Sequence, residues 1–160
     1  MHKKQYMERF IMQDLIAWKN REDRKPLILL GARQVGKTYI LKEFGQREFE
    51  NVAYINCDNN AMAKDLFASD YNIDRILLTI GAITGVNIEA GKTLIIMDEI
   101  QELHRGLASL KYFCENAREY HVAVAGSLLG LALHQGESYP VGKVNTLEMY
   151  PMTFEEFLWA

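Results

Sequence analysis

The stretch "LLGARQVGKTYILKEF", residues 29–44, places two glycines, a lysine and a threonine between a run of aliphatic residues and a helical pattern. The run at 26–30 is continuous and apolar, which predicts a strand covered on both faces. Residues 36–44 predict a helix, with Gly45 placed to cap its C-terminus. Because glycine permits unusual backbone angles and close approach, glycines at the end of a buried strand indicate that a ligand contacts the backbone there.

The same stretch matches G-x-x-x-x-G-K-[ST], the Walker A pattern of phosphate-binding loops. Its residues are Gly31, Ala32, Arg33, Gln34, Val35, Gly36, Lys37 and Thr38. The backbone N–H groups of such a loop point inward around phosphate oxygens, and the positive end of the following helix adds to the attraction. We expect Lys37 to reach the β- and γ-phosphates and the Thr38 hydroxyl to ligate Mg²⁺. Tyr39 is a candidate for packing near the base of the nucleotide.

A second stretch, "TLIIMDEIQ" at 93–101, brings acidic residues to the end of another predicted strand. Its apolar residues deliver Asp98 and Glu99 to the C-terminal edge of the sheet, the Walker B arrangement. We expect Asp98 to hold Mg²⁺ through water and Glu99 to polarise the attacking water as general base. Ser127 follows the predicted strand "HVAVAG". It is a candidate for contacting the γ-phosphate or that water, although serine after a strand-ending glycine is also ordinary turn chemistry.

Strand and helix patterns alternate along the chain, which predicts an α/β fold with a mostly parallel sheet between two helical layers. In such folds ligands bind beyond the C-terminal ends of the strands. The predicted strands are 26–30, 51–58, 93–97, 121–126 and 144–149. The predicted helices are 5–20, 36–44, 61–68, 73–83 ending near Gly85, and a longer one over 103–117.

Composition excludes several classes of protein. The 160 residues suffice for one domain, and 49% hydrophobic with 24% charged residues is ordinary for a globular protein. A net charge of −3 does not support DNA as a partner, although a local basic patch stays open. No window approaches the roughly 18 consecutive apolar residues of a membrane span. Cys57 and Cys114 lack disulfide or zinc spacing, which favours reduced thiols in a cytoplasmic protein.

The last residues predict a helix that has only begun. Thr153 followed three residues later by Glu156 matches a capping box, so a helix is expected from about Phe154. The sequence stops at Ala160, one turn into that helix. We therefore expect residues 1–160 to form one ATPase-type domain of a longer protein, with a C-terminal lid or further domain missing.

Four segments together resemble one family more closely than a generic phosphate-binding protein. They are "LLGARQVGKTYILKEF", "LIIMDEIQEL", "VAGSLLG" and "YPVGKVNTLEMYPMTFEEFL". The chain resembles the N-terminal ATPase domain of a prokaryotic AAA-type P-loop family of the ASCE class, whose members join it to a nuclease-like C-terminal domain of unknown function. The resemblance implies a three-layer sandwich with five strands in the order 5-1-4-3-2.

The resemblance also implies roles for single residues. It assigns Asp98 and Glu99 to Walker B, Ser127 to the γ-phosphate sensor, and leaves Gln101 open as a sensor of nucleotide state. Family members often carry an arginine where this chain has Lys143, and lysine lacks the planar fork that clamps two oxygens. An arginine finger from that position is therefore not expected. His104 is expected on the surface rather than at the γ-phosphate.

Three functions remain open at this stage. The first is Mg²⁺-dependent ATP hydrolysis with Glu99 as base, in a homo-oligomer that supplies a basic residue in trans and with full activity dependent on a partner or on the missing region. The second is a nucleotide-gated binding module with little hydrolysis. The third is a small-molecule kinase, disfavoured because such enzymes need no acid that activates water. No N-K-x-D motif occurs, which favours ATP over GTP.

Overall fold

The computed structural model describes residues 2–31, 36–127 and 140–149, with side chains from residue 10 onward, and every structural statement below refers to these residues. The helices are α1 (His2–Lys19), α2 (Lys37–Glu48), α3 (Ile73–Thr84) and α4 (Gly106–Asn116). The strands are β1 (Leu27–Gly31), β2 (Asn51–Asn56), β3 (Thr93–Asp98), β4 (His121–Gly126) and β5 (Asn145–Met149). A short 3₁₀ turn, Ile100–Glu102, follows β3.

The five strands form one sheet in the order β2-β3-β4-β1-β5, and each of the four pairings is parallel. This confirms the order inferred from the resemblance, read from the other edge. Asp98 at the end of β3 lies opposite Ala125 of β4, and Leu30 of β1 lies opposite Gly126 of β4. The C-terminal ends of the three central strands therefore meet at one edge of the sheet.

Two apolar layers cover the two faces of the sheet, so the fold is a three-layer sandwich. On one face α1 and α2 contribute Leu15, Trp18, Ile40, Leu41 and Phe44. On the other, α3 and α4 contribute Ile76, Ile80, Leu110 and Phe113. Every residue of β3 and β4 is buried, as expected for strands covered on both faces.

Two helix predictions were wrong at their ends. Gly45 does not cap α2, which continues to Glu48. A β-carbon at Gly45 would lie 2.4 Å from Cγ2 of Val52 on β2, so glycine is needed there for close packing of helix on sheet. The helix predicted over 103–117 begins three residues late, because 103–105 form a turn and α4 begins at Gly106. Arg105 adopts a left-handed conformation with φ 64°, which interrupts regular helix.

The short helix predicted at 61–68 is also wrong, since this segment is a series of turns. Its backbone hydrogen bonds span three residues, as in Leu66 N–H to Ala63 O at 3.0 Å and Ala68 N–H to Asp65 O at 3.2 Å. The side chain of Asn60 accepts from the Ala63 N–H at 3.1 Å, as at a helix N-terminus, but the turns that follow do not continue into a regular helix. The next helix, α3, ends as predicted at Gly85, whose φ of 70° is left-handed.

The opening helix spans His2–Lys19, where 5–20 was expected, and it packs beside α2. Trp18 near its end donates a hydrogen bond from Nε1 to the Lys25 carbonyl at 2.8 Å, which ties α1 to the connector before β1. Within the described residues no helix is both long and apolar enough to cross a membrane.

His121 at the start of β4 is a buried titratable group in an aromatic setting. Its ring lies edge-on to Trp18 at 5.9 Å and to Phe49 at 5.0 Å between centroids, and Nδ1 has no hydrogen-bond partner in the described residues. Burial, and secondarily the Arg24 charge, lowers the pKa of His121 to about 4, whereas a hydrogen bond with the Lys19 backbone acts in the opposite direction. The folded protein therefore keeps this histidine neutral.

We predict that His121 makes the fold acid-sensitive. Because the folded pKa lies below the unfolded value of about 6.5, the unfolded chain takes up a proton first, and stability is lost as the pH falls from 6.5 towards 4. The His121→Phe variant keeps an aromatic ring at this position and removes the imidazole that takes up the proton. Its stability relative to wild type should rise by about 3 kcal/mol between pH 7 and pH 4 in urea unfolding. A difference independent of pH would contradict this assignment.

Candidate functional site

The residue before α2 is a glycine, and its backbone conformation would strain any other residue. Gly36 precedes α2 with φ 88° and ψ 24°, a left-handed conformation, and among the described residues no atom lies within 4 Å of a β-carbon built there. The first turn of α2, whose N–H groups precede the i→i−4 pairing of the helix, lies next to it. This arrangement fits an anion at the helix N-terminus. The predicted loop residues Ala32, Arg33, Gln34 and Val35 lie outside the described residues.

Lys37, the first residue of α2, is a buried cation. Only 7% of it is exposed, and its Nζ donates a hydrogen bond to the Gly31 carbonyl at 2.7 Å. Burial lowers the pKa of Lys37, while the charges of Glu99 and Asp98 act in the opposite direction. The lysine thus lies near both acids, at the place where a phosphate would supply further negative charge.

Asp98 at the end of β3 is the most heavily hydrogen-bonded side chain of this edge. Its Oδ2 accepts from the Thr38 hydroxyl and, at 2.8 Å, from the Tyr54 hydroxyl, and its Oδ1 accepts from the Glu99 N–H at 3.0 Å. The adjacent carboxylate and hydroxyl oxygens are the hard ligands that Mg²⁺ prefers. No group of three or more His, Cys, Asp or Glu suited to a metal occurs among the described residues, so an ion here would also need phosphate and water oxygens.

Tyr54 is a site residue that the sequence reasoning missed. It lies on β2, and burial, followed by the hydrogen bond to Asp98, raises the pKa of its hydroxyl. Lys42 of α2 lies over its ring, with Nζ 3.9 Å from the ring centroid. Its place next to Asp98 depends on the register of β2 on β3, where it lies opposite Ile96, and no local pattern in the sequence reveals that register.

Glu99 follows Asp98 in an uncommon conformation. With φ 54° and ψ 50° it is left-handed, and it turns the chain from β3 into the 3₁₀ turn. Its side chain accepts a hydrogen bond at Oε2 from the amide of Gln101. A non-glycine residue in this region is sparsely populated and accumulates at functional sites.

The sequence model of the AAA domain family matches residues 23–158. The chain belongs to this family. It is an AAA-type P-loop ATPase domain, which agrees with the five-stranded parallel sheet and with the position of the glycine loop between β1 and α2.

One relative at the sequence level is the uncharacterized protein MJ1637 of Methanocaldococcus jannaschii, 30% identical over 153 residues that cover 86% of this chain. This AAA domain spans only 28% of that relative's length.

Solved structures with the same fold are more distant in sequence. An Orc1 protein of Aeropyrum pernix in complex with DNA has a TM-score of 0.56 and 14% identity, over 96% of this chain and 46% of its own. RuvB of Thermotoga maritima gives 0.53 and 21%, over 95% and 47%, and PCH-2 of C. elegans gives 0.51 and 12%, over 88% and 42%. These likenesses show the fold alone.

The remaining candidates lie at varied distances from this edge. Ser127 directly follows β4, next to the Gly126 that pairs with Leu30, so its backbone position is at the same edge as Asp98. Tyr39 on α2 is 46% exposed, and His104 is exposed as expected. Lys143 lies before β5 in an ion pair with Glu115 at 3.3 Å.

We predict that Gly36→Ala weakens nucleotide binding while a matched substitution does not. Gly91 has a similar φ of 77° and similarly open surroundings, but it lies before β3, at the opposite edge of the sheet. Alanine at either position should cost about 1–2 kcal/mol of stability from backbone strain. Only Gly36→Ala should also lower ATP affinity, by about tenfold or more, in calorimetric titration. Equal ATP affinities for the Gly36→Ala and Gly91→Ala variants would show that Gly36 is not part of the nucleotide-binding site.

Proposed function

We propose that this AAA domain binds ATP together with Mg²⁺ and hydrolyses it, with Glu99 as the general base. The observation that carries the proposal is the convergence of Lys37, Thr38, Asp98 and Glu99 at one sheet edge. The Thr38 hydroxyl and the Glu99 N–H donate hydrogen bonds to Asp98, and the charges of both acids act on Lys37. A cation, a hydroxyl–carboxylate pair and a second carboxylate are the groups that water-driven phosphoryl transfer needs.

The nucleotide would be held by the residues around the N-terminus of α2. Backbone N–H groups of the loop from Gly31 to Thr38 and the end of the helix dipole would hold the phosphates. Lys37 would exchange its hydrogen bond with the Gly31 carbonyl for one with the β- and γ-phosphates. Thr38 and Asp98 would hold Mg²⁺, which when bound supplies positive charge to the phosphate oxygens. We propose that Tyr39 packs near the base of the nucleotide.

The chemical step would use Glu99 as an acceptor. Its carboxylate takes a proton from water as the water oxygen forms a bond to the γ-phosphorus, and the bond from that phosphorus to the oxygen bridging to ADP breaks. Lys37 would stabilise the charge on the transferred group. Ser127, at the end of the neighbouring strand, would contact the γ-phosphate or the water.

We also propose that the domain works in a homo-oligomer in which a neighbour supplies a basic residue. The Orc1 structure contains DNA, but this chain's net charge of −3 does not support overall attraction to DNA. Both cysteines are free and buried, which supports a cytoplasmic setting.

Turnover per chain that rises with protein concentration would support the proposed homo-oligomer, and turnover independent of concentration would contradict it.

We predict that Glu99→Gln abolishes hydrolysis and preserves binding. Loss of a general base lowers turnover by about 10²–10⁴-fold. Glu102→Gln is the matched control, because Glu102 is an exposed acid three residues further on. It should leave phosphate release from Mg²⁺-ATP unchanged. Both variants should bind ATP within about twofold of wild type, since Glu99 acts on water and not on the bound nucleotide.

Equal phosphate release by wild type and Glu99→Gln would contradict the proposed base. If in addition wild type binds ATP tightly with negligible release, the domain is a nucleotide-gated binding module instead.

A further inference from the structure

The turn after β3 brings together two side chains that a regular helix would keep apart. In a helix, residues i and i+2 point away from each other. Here the left-handed conformation of Glu99 reverses the chain, and Gln101 reaches back so that its Nε2 donates to Glu99 Oε2. The contact is therefore a product of the backbone geometry at Glu99 and not of chance surface placement.

The backbone around Gln101 is itself held in place. The Glu102 N–H donates to the Glu99 carbonyl at 3.0 Å, and the Leu103 N–H donates to the Ile100 carbonyl at 3.1 Å. Ile100 is fully buried in the apolar layer beneath the turn. The amide of Gln101 thus approaches Glu99 from a fixed position.

Hydrogen-bond chemistry decides which end of the amide faces Glu99. An ionised carboxylate only accepts, so the NH₂ group must point towards it. The other end, Oε1 of Gln101, is buried without a hydrogen-bond partner in the described part of the chain. Among the described residues, the Gln101 amide is thus held through its NH₂ group, by the bond to Glu99.

Gln101 also contributes to the wall of an open cleft. The cleft has a volume of about 840 Å³ and is lined by Gln101 together with Ile100, Leu103, Tyr71 and Arg105, among others, but not by Glu99. Without the amide, the Glu99 side chain would lose the hydrogen bond that restrains its Oε2. A carboxylate with such freedom would spend less time directed at the nucleotide.

We propose that Gln101 is a positioning residue for Glu99. Its amide holds Oε2 of the carboxylate and leaves Oε1 directed at the attacking water. The inference rests on the proposed function, because it concerns the orientation of the base that the proposal names. Gln101 touches neither nucleotide nor water in this role and acts through Glu99 alone.

The test is a double-mutant cycle on Glu99 and Gln101, with phosphate release and ATP affinity measured for each variant. Gln101→Met keeps the length of the side chain and removes the amide. It should lower kcat about tenfold, with KM for ATP within about twofold of wild type, since misplacing a catalytic group slows chemistry without weakening binding. In the Glu99→Gln background the same change should alter kcat less than about twofold, because coupled residues are not additive.

Gln101→Asn, which retains an amide one methylene shorter, should recover part of the lost kcat. Lys111→Met is the matched control, because it changes another wall of the cleft without contacting Glu99. An equal fold-loss from Gln101→Met in both backgrounds, or unchanged kcat, would overturn the positioning role. If Glu99→Gln already equals wild type, the proposed function fails, and this inference fails with it. If Glu99→Gln is slow but Gln101→Met is not, the proposed function stands and only the positioning role is wrong.

Discussion

The hydrogen bonds that converge on the Asp98 carboxylate are the interaction on which the rest of the site depends. They join α2 through Thr38, β2 through Tyr54 and the turn after β3 through the Glu99 N–H. Asp98 is only 5% exposed, and an ion of this kind without partners would cost several kcal/mol to bury. Charge-assisted hydrogen bonds of about 1.5–3 kcal/mol each offset that cost. One carboxylate thereby fixes three separate elements of the chain at one edge of the sheet.

The parallel sheet is what makes that convergence possible. Strands that run in one direction present all their C-terminal ends at the same edge, and the central ones are buried on both faces. Lys37 and Thr38 follow β1, Asp98 and Glu99 end β3, and Ser127 follows β4. Residues distant in sequence therefore become neighbours, and the apolar layers beneath hold them rigidly.

Much of this was predictable because the signals are local. The glycine loop, the acidic end of β3 and the aliphatic runs are short patterns with direct physical meaning, and they placed the strands correctly along the chain. The roles of the site residues stay predictions. The sheet order came only from resemblance. Tyr54, the interior position of Gly45 and the contact of Gln101 with Glu99 were out of reach, because each depends on register, packing distance or a left-handed turn. The segment at 61–68 has apolar residues at helical spacing, yet its backbone forms successive three-residue turns and no regular helix.

The most direct test of the central claim is calorimetric titration of ATP into wild type and Asp98→Asn, each with and without Mg²⁺. If Asp98 organises a joint metal–nucleotide site, Mg²⁺ should strengthen ATP binding by about tenfold or more in wild type and by less than about twofold in Asp98→Asn. Metal-free ATP binding should be at least as tight in the variant, because a negative charge near the phosphates is gone and the fold is retained. An equal gain from Mg²⁺ in both proteins would contradict the account.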